Sequence, residues 1–312
     1  MKKLPICVQT STWYGQLFGG EQGADEAFAY IKSLGFEGLD YNLDNCLTPD
    51  MISQGQKNDF FDASVEEILD FYKGVKEASQ KHGVEIQMAH GIFPMHSDVD
   101  PSMDDYLIMA TEKLLAVCQY LGCPALVVHP ITRANRTLEK EMNLAMYRKL
   151  MPAARKYGVK ICLENMFAFI GGHAQRRACA NIEEACWYID TLNAEAGEEL
   201  FGFCYDVGHA NVMGNNIYED LKLLGKRLTL LHIHENDGRL DMHLIPFTHT
   251  NVNRVSTTDW DGFLRGLKEI GYTGPLNFEI FAAIVKMPRP LIKPLLTLAK
   301  EIGVYFRTEL TN

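Results

Sequence analysis

The chain has 312 residues, 47% of them hydrophobic, which is enough for one large core and fits a single α/β barrel. Its formal net charge is −10. No cationic cluster exceeds the neighbours Arg176 and Arg177 or the spaced set Lys286, Arg289 and Lys293, which disfavours nucleic acid as a partner. There is no apolar run of about 18 residues and no leader-like segment, and the eight cysteines are scattered without a CxxC pair; the expectation is a cytoplasmic protein with reduced thiols and no membrane span.

Strand and helix patterns alternate along nearly the whole chain. A strand at 6–9 precedes a helix at 25–34 that stops at Gly35, and a second strand covers 38–41. Residues 42–61 show no clear period and read as a long loop. A helix at 65–81 leads to a strand at 84–89, and a helix at 103–121 to a strand at 125–129. A helix at 138–157 leads to a strand at 159–164, and a helix at 182–192, capped by Asn181, to a strand at 201–206. Next come a helix at 218–224, a strand at 228–232, a helix at 259–270, a strand at 275–280 and a last helix at 290–302. Glycines 83, 122, 158 and 271 follow final helical turns, a stop signal. Eight such units predict a closed (β/α)8 barrel, with one domain over residues 1–312. No GxGxxG follows the first strand, which argues against a dinucleotide-binding sheet.

The chemistry is concentrated at the strand ends. His90 ends QMAH, His129 ends LVVH, Glu164 ends ICLE, Asp206 ends GFCYD, His232 ends LTLLH and Glu279 ends LNFE. Parallel strands bring these ends to one side of the barrel. An unpaired charge in a buried strand is costly, and three clustered carboxylates repel one another unless a cation lies between them. Each acid alone reads equally well as a solvated strand end or an ion-pair partner. Together with His232 they form a set suited to Mn²⁺, Mg²⁺, Co²⁺ or Zn²⁺.

A second group surrounds the first. His209 lies three residues beyond Asp206, and Asp241 and His243 are one residue apart. With His90 and His129, these side chains bind substrate hydroxyls, orient the metal ligands or hold further metals; singly, each histidine reads as a hydrogen-bonded pocket residue. His234 shares strand parity with His232, and His249 lies in a loop; both are weaker candidates. Trp13, Phe167 and Phe247 fall in predicted mouth loops and either wall a sugar pocket or cover the barrel top. Arg239 and Arg254 are candidates to hold a substrate hydroxyl or phosphate, or are solvated surface residues.

The stretches CLEN, YDVGHAN, HIHENDGRLDMHLIP, TDW and NFEI resemble the xylose-isomerase-like barrels: the sugar-phosphate isomerase/epimerase family and its relative endonuclease IV. The likeness runs from the first strand to the last helix. In the epimerase branch it implies one metal held by Glu164, Asp206, His232 and Glu279. Glu164 and Glu279 would then exchange protons with a carbon next to a carbonyl, on a small keto-sugar, sugar phosphate or polyol, while the metal stabilises the enediolate. A polyol dehydratase would use related chemistry. In the endonuclease IV branch, His90, His129, Glu164, Asp206, His209, His232, Asp241, His243 and Glu279 would hold three zincs and act on abasic DNA. The chain lacks that enzyme's glycine-rich sequence after the acid, carrying MFAFIGGHAQ after LEN. It also departs from the epimerase branch, with HLIPFTHTNVNRV in place of a PGxG turn and Phe247 where glycine is usual. Barrels of this type often pair through mouth loops, which makes a homo-oligomer an open expectation.

Overall fold

The computed structural model describes residues 4–250 and 257–312. Eight parallel strands form the barrel: β1 Ile6–Gln9, β2 Gly38–Asn42, β3 Glu85–His90, β4 Ala125–Val127, β5 Lys160–Glu164, β8 Phe201–Asp206, β9 Leu228–His232 and β10 Leu276–Phe278. Between β5 and β8 lies an antiparallel hairpin, β6 Phe167–Ile170 and β7 His173–Arg176. The barrel order is β10-β1-β2-β3-β4-β5-β8-β9. It closes just past β9, where Ile233 N donates to Asn277 O at 2.9 Å and Glu279 N donates to Ile233 O at 3.2 Å. This is the (β/α)8 barrel that the alternating pattern predicts.

The long helices pack outside the sheet because each carries one apolar face. Ser102–Leu121 buries Met103, Leu107, Leu114 and Leu121, and Arg136–Tyr157 buries Met146, Tyr147 and Leu150. Gly122 and Gly158 end them in the left-handed conformation, at φ 75° and 64°, where a side chain would be strained. Asn181 caps Ile182–Ala196 by accepting from Glu183 N at 2.9 Å, as the sequence predicts.

Two expectations are corrected. Residues 42–61 hold three single-turn helices, Asp44–Cys46, Pro49–Ser53 and Asp59–Asp62, each too short to show a period. They are anchored by buried Ile52 and Phe61, with Thr48 and Asn58 as side-chain caps. The helix predicted at 65–81 is two helices, Val65–Phe71 and Lys73–His82. The break at Tyr72 sets its buried ring against Tyr41, Phe60 and Phe71. Among the described residues, no helix is long and apolar enough to cross a membrane.

One packing feature positions the site. Met88, Ala125, Val127, Cys162, Cys204 and Leu230 form a small apolar cluster inside the barrel, separate from the larger core outside it. Successive side chains alternate across a strand, so the residue two positions on faces the same way. Two positions beyond Met88, Val127, Cys162, Cys204 and Leu230 stand His90, His129, Glu164, Asp206 and His232. The interior thus changes from a small apolar plug to a polar layer within one repeat along the same strands.

Candidate metal centre

His232 is at the centre of the polar layer and is fully buried. Its Nδ1 lies 3.5 Å from Glu164 Oε2, 3.8 Å from Asp206 Oδ2 and 3.4 Å from Glu279 Oε2. Asp206, at the end of β8, also caps the short helix Val207–Val212; its Oδ1 accepts from His209 N at 2.6 Å. The ends of β5 and β8 are held together by Asn165, which donates to Asp206 O and accepts from Asp206 N, both at 2.8 Å. Gln9, at the end of β1, donates to Glu279 Oε1 at 2.8 Å. Gly208 is required locally, because a Cβ there would come within 1.8 Å of the His234 ring.

A ring of imidazoles and one more acid surrounds this centre. His129 Nε2 lies 3.3 Å from Glu164 Oε2, and His209 Nδ1 lies 3.2 Å from Glu164 Oε1 and 2.9 Å from Asn165 O. His234 Nε2 lies 3.1 Å from both oxygens of Asp206. Asp241 Oδ2 lies 3.3 Å from His209 Nε2 and 2.9 Å from His243 Nε2, while His243 Nδ1 lies 3.0 Å from Glu279 O. His90 stacks on His232 with ring centroids 5.0 Å apart.

The electrostatics of the metal-free protein show what the layer requires. Burial opposes ionisation of Glu164, but the imidazoles of His232 and His129 prevail and hold it well below the usual carboxylate range. Burial likewise opposes ionisation of Asp206, yet His209 and His234 bring it down to about 2. Burial also opposes charge on His232, but the carboxylates of Glu279 and Glu164 prevail, holding it well above the usual histidine range. His234 rises to about 9 against its burial, driven by Asp206 and Asp241. Protons on imidazoles thus supply the positive charge that the buried carboxylates demand.

A divalent cation fits the same place. Glu164 Oε2 and His232 Nδ1 are buried and, among the described residues, have no hydrogen-bond partner. Ligand atoms about 2.1 Å from one ion at tetrahedral angles lie roughly 3.4 Å apart, close to the separations around His232 Nδ1. Three carboxylates and an imidazole are donors for a hard or borderline dication.

The layer opens onto a cavity of about 260 Å³ lined by His90, His129, Glu164, His209, Asp241, His243 and Glu279, with Phe93, Met166, Phe167 and Phe281 as its apolar wall. Glu164, Asp206, His232, Glu279, His90, His129, His209, Asp241 and His243, all singled out in the sequence, therefore come together in this layer and the cavity above it. Phe167 reaches the cavity on the hairpin, and its ring packs on His209 at 5.0 Å. His234 lies two residues beyond the end of β9 and is nonetheless buried, with its Nε2 against Asp206.

Others do not join them. Trp13, expected to contact substrate, is fully buried; it starts the helix Trp13–Phe18 and its indole donates to Gln9 O at 2.7 Å, so it belongs to the core under the rim. Arg239, expected at the pocket, is exposed in a turn closed by Asp237 and does not line the cavity. Phe247 lies outside the cavity against Trp260 and Phe306. His249 is half-buried and also lies off the cavity. Arg254 is outside the described residues. Sequence reasoning missed Asp40, Gln9 and Asn165, which contact the site residues, and the wall residues Phe93, Met166 and Phe281. Asp40 carried a usable signal, an acid inside the buried strand GLDYN.

The pattern of the family described as xylose isomerase-like TIM barrel matches residues 28–302. Inosose isomerase of Bacillus velezensis is 29% identical over 182 residues, covering 56% of this chain and 60% of that protein. An uncharacterised protein of Methanocaldococcus jannaschii is 32% identical over 141 residues, covering 44% of this chain and 42% of that protein. The chain thus spans less than two thirds of the length of these curated relatives. Among solved structures, a D-tagatose 3-epimerase-like protein superimposes with a TM-score of 0.68 at 20% identity, over 99% of this chain and 98% of that one. The IolI protein with a bound zinc atom superimposes with a TM-score of 0.68 at 22% identity, over 97% and 98%. 3-Keto-D-glucoside 4-epimerase from E. coli gives a TM-score of 0.66 at 17% identity, over 96% and 100%. With its pattern matched across most of its length, the chain belongs to the xylose isomerase-like TIM barrel family.

Proposed function

We propose that this protein is a divalent-metal-dependent isomerase or epimerase of a small keto-sugar or related polyol, with Glu164, Asp206, His232 and Glu279 as the metal ligands. The observation that carries this reading is the approach of three carboxylates to the partnerless Nδ1 of buried His232, at 3.4–3.8 Å, at the floor of an open cavity. A dication held there supplies Lewis-acid polarisation of a substrate carbonyl and its neighbouring hydroxyl.

Glu164 and Glu279 both line the cavity and are the groups assigned to proton transfer at the substrate carbon. Glu164 is ionised at neutral pH and suits the role of base. Gln9 fixes Glu279 by its hydrogen bond to Oε1. His90, His129, His209 and His243, with Asp241, are placed to bind substrate hydroxyls, and Phe93, Phe167 and Phe281 offer apolar surface to C–H faces of a sugar. Among the described residues no lysine or arginine lines the cavity, which favours a neutral substrate over a phosphorylated one. The names of the relatives, inosose isomerase and a 3-keto-D-glucoside 4-epimerase, support a cyclic or keto-sugar substrate.

A second reading, a zinc phosphodiesterase acting at abasic DNA, is favoured by one observation: the additional cluster of His209, Asp241 and His243. The absence of lysine and arginine from the cavity lining among the described residues, and the net charge of −10, weigh against it. Metal content separates the two, since one equivalent supports the isomerase and three zincs support the phosphodiesterase. The direct test is solvent-deuterium incorporation into a panel of keto-sugars and inososes with each of Mn²⁺, Mg²⁺, Co²⁺ and Zn²⁺. Label at the carbon next to the carbonyl is expected, and its absence with every substrate and metal would rule the proposal out.

A further inference from the structure

The proposed chemistry leaves one fully buried acid in the layer without a role, Asp40 in the middle of β2. It does not line the cavity and touches no substrate space. Its Oδ2 lies 3.6 Å from His232 Nε2, the ring nitrogen opposite the one that faces the three carboxylates. The same oxygen accepts from Asn277 Nδ2 at 3.0 Å, which holds the Asp40 carboxylate from the far side. His90 lies against this pair, with its Nδ1 3.9 Å from Asp40 Oδ2 and its ring stacked on His232.

A neutral imidazole has one N–H and one lone pair, and its neighbours decide which nitrogen carries which. At His232 both sides are buried, so the choice has no help from water. A hydrogen on Nδ1 would remove the lone pair from the side where Glu164, Asp206 and Glu279 converge, and would leave the lone pair on Nε2 facing the negative charge of Asp40. A hydrogen on Nε2 lies on the side of that charge, 3.6 Å from its oxygen, and frees Nδ1. Resting on the metal-centre reading above, we propose that Asp40 is a positioning residue. It holds His232 in the Nε2–H tautomer through the chain Asn277–Asp40–His232, and so aims the Nδ1 lone pair at the cation. A carboxylate behind a ligating histidine also raises the basicity of the ring, and loss of such a partner weakens metal affinity by about 10- to 100-fold.

The test has two arms that do not depend on turnover. In zinc-loaded wild-type protein labelled with ¹⁵N-histidine, long-range ¹H–¹⁵N spectra should show His232 with its proton on Nε2 and its metal on Nδ1. A His232 that carries its proton on Nδ1 would overturn the proposal, and this arm needs no variant. In the second arm, chelator-stripped wild-type and Asp40→Asn proteins are titrated with Zn²⁺ and Co²⁺. The substitution should weaken binding by about 10- to 100-fold, with the Co²⁺ visible spectrum at saturation kept close to wild type because the four ligands remain. Equal affinities for the two proteins would overturn the assignment of Asp40 while leaving the metal centre standing. Failure of the wild-type protein to bind any divalent metal would instead overturn the metal-centre reading itself.

Discussion

The plug and the polar layer above it are built from the same five strands, two residues apart, yet they obey opposite rules. Met88, Val127, Cys162, Cys204 and Leu230 are small or flexible apolar groups that fill the barrel and need no partners. His90, His129, Glu164, Asp206 and His232 are buried too, and the carboxylates among them are tolerable there only because each faces an imidazole or a shared cation. The plug is a stability feature; the layer is a site maintained against the cost of desolvation. Substitutions in the two should therefore separate cleanly, one changing stability and the other chemistry.

The sharpest separation is in turnover. Glu279→Gln or Glu164→Gln should keep the fold and lower kcat by about 10²- to 10⁴-fold, as expected for a proton-transfer group. His249→Ala, at a half-buried position off the cavity, should change kcat by no more than about twofold. Steady-state kinetics with circular dichroism on each variant checks this, and small equal effects would erase the distinction.

In the plug the expected loss is of stability. Leu230→Ala removes a side chain that is 2% exposed and should cost about 2–5 kcal/mol in denaturant unfolding, with metal affinity little changed. Chelation acts on the other layer. Stripping a metal present at a hundredfold its Kd should cost about 2.7 kcal/mol of stability, read as a lower Tm that recovers on adding the ion back.

The pH dependence of metal binding sharpens the comparison further. Without metal, His232 is held above the usual histidine range, so at neutral pH it carries a proton that a metal ion must displace. The carboxylates of Glu164 and Asp206 are held low and are already ionised there. Affinity should therefore rise with pH by about tenfold per unit for each proton released, and level off once His232 is neutral in the free protein. Calorimetry in buffers of different ionisation enthalpy should register that proton. Affinity that is flat between pH 6 and pH 8 would contradict this account of His232.

Much of the layer was legible in the sequence because a charge inside a strand of Val, Ile, Leu and Phe is anomalous, and the anomaly recurs at several strand ends. The same criterion applies to Asp40 in GLDYN, but its role depends on which ring nitrogen of a distant histidine it faces, and only packing across the barrel reveals that. Trp13 misled because an aromatic residue just past a strand reads alike whether its ring faces the pocket or the core. The helix that turns it inward, Trp13–Phe18, has six residues and too few turns to show a period. The hairpin that brings Phe167 to the cavity turns at Gly171 and Gly172, both with positive φ, in a stretch without apolar alternation. Glycine stops predicted the long helices well because they reflect local backbone sterics, whereas the short helices of 42–61 depend on tertiary anchors.

The most direct test of the central claim is a crystal structure of the protein grown with Mn²⁺ or Zn²⁺, with the ion located by anomalous scattering. An ion is expected about 2.0–2.2 Å from Glu164, Asp206, His232 Nδ1 and Glu279. An ion bound elsewhere, or those four side chains paired only with protonated histidines under saturating metal, would contradict it.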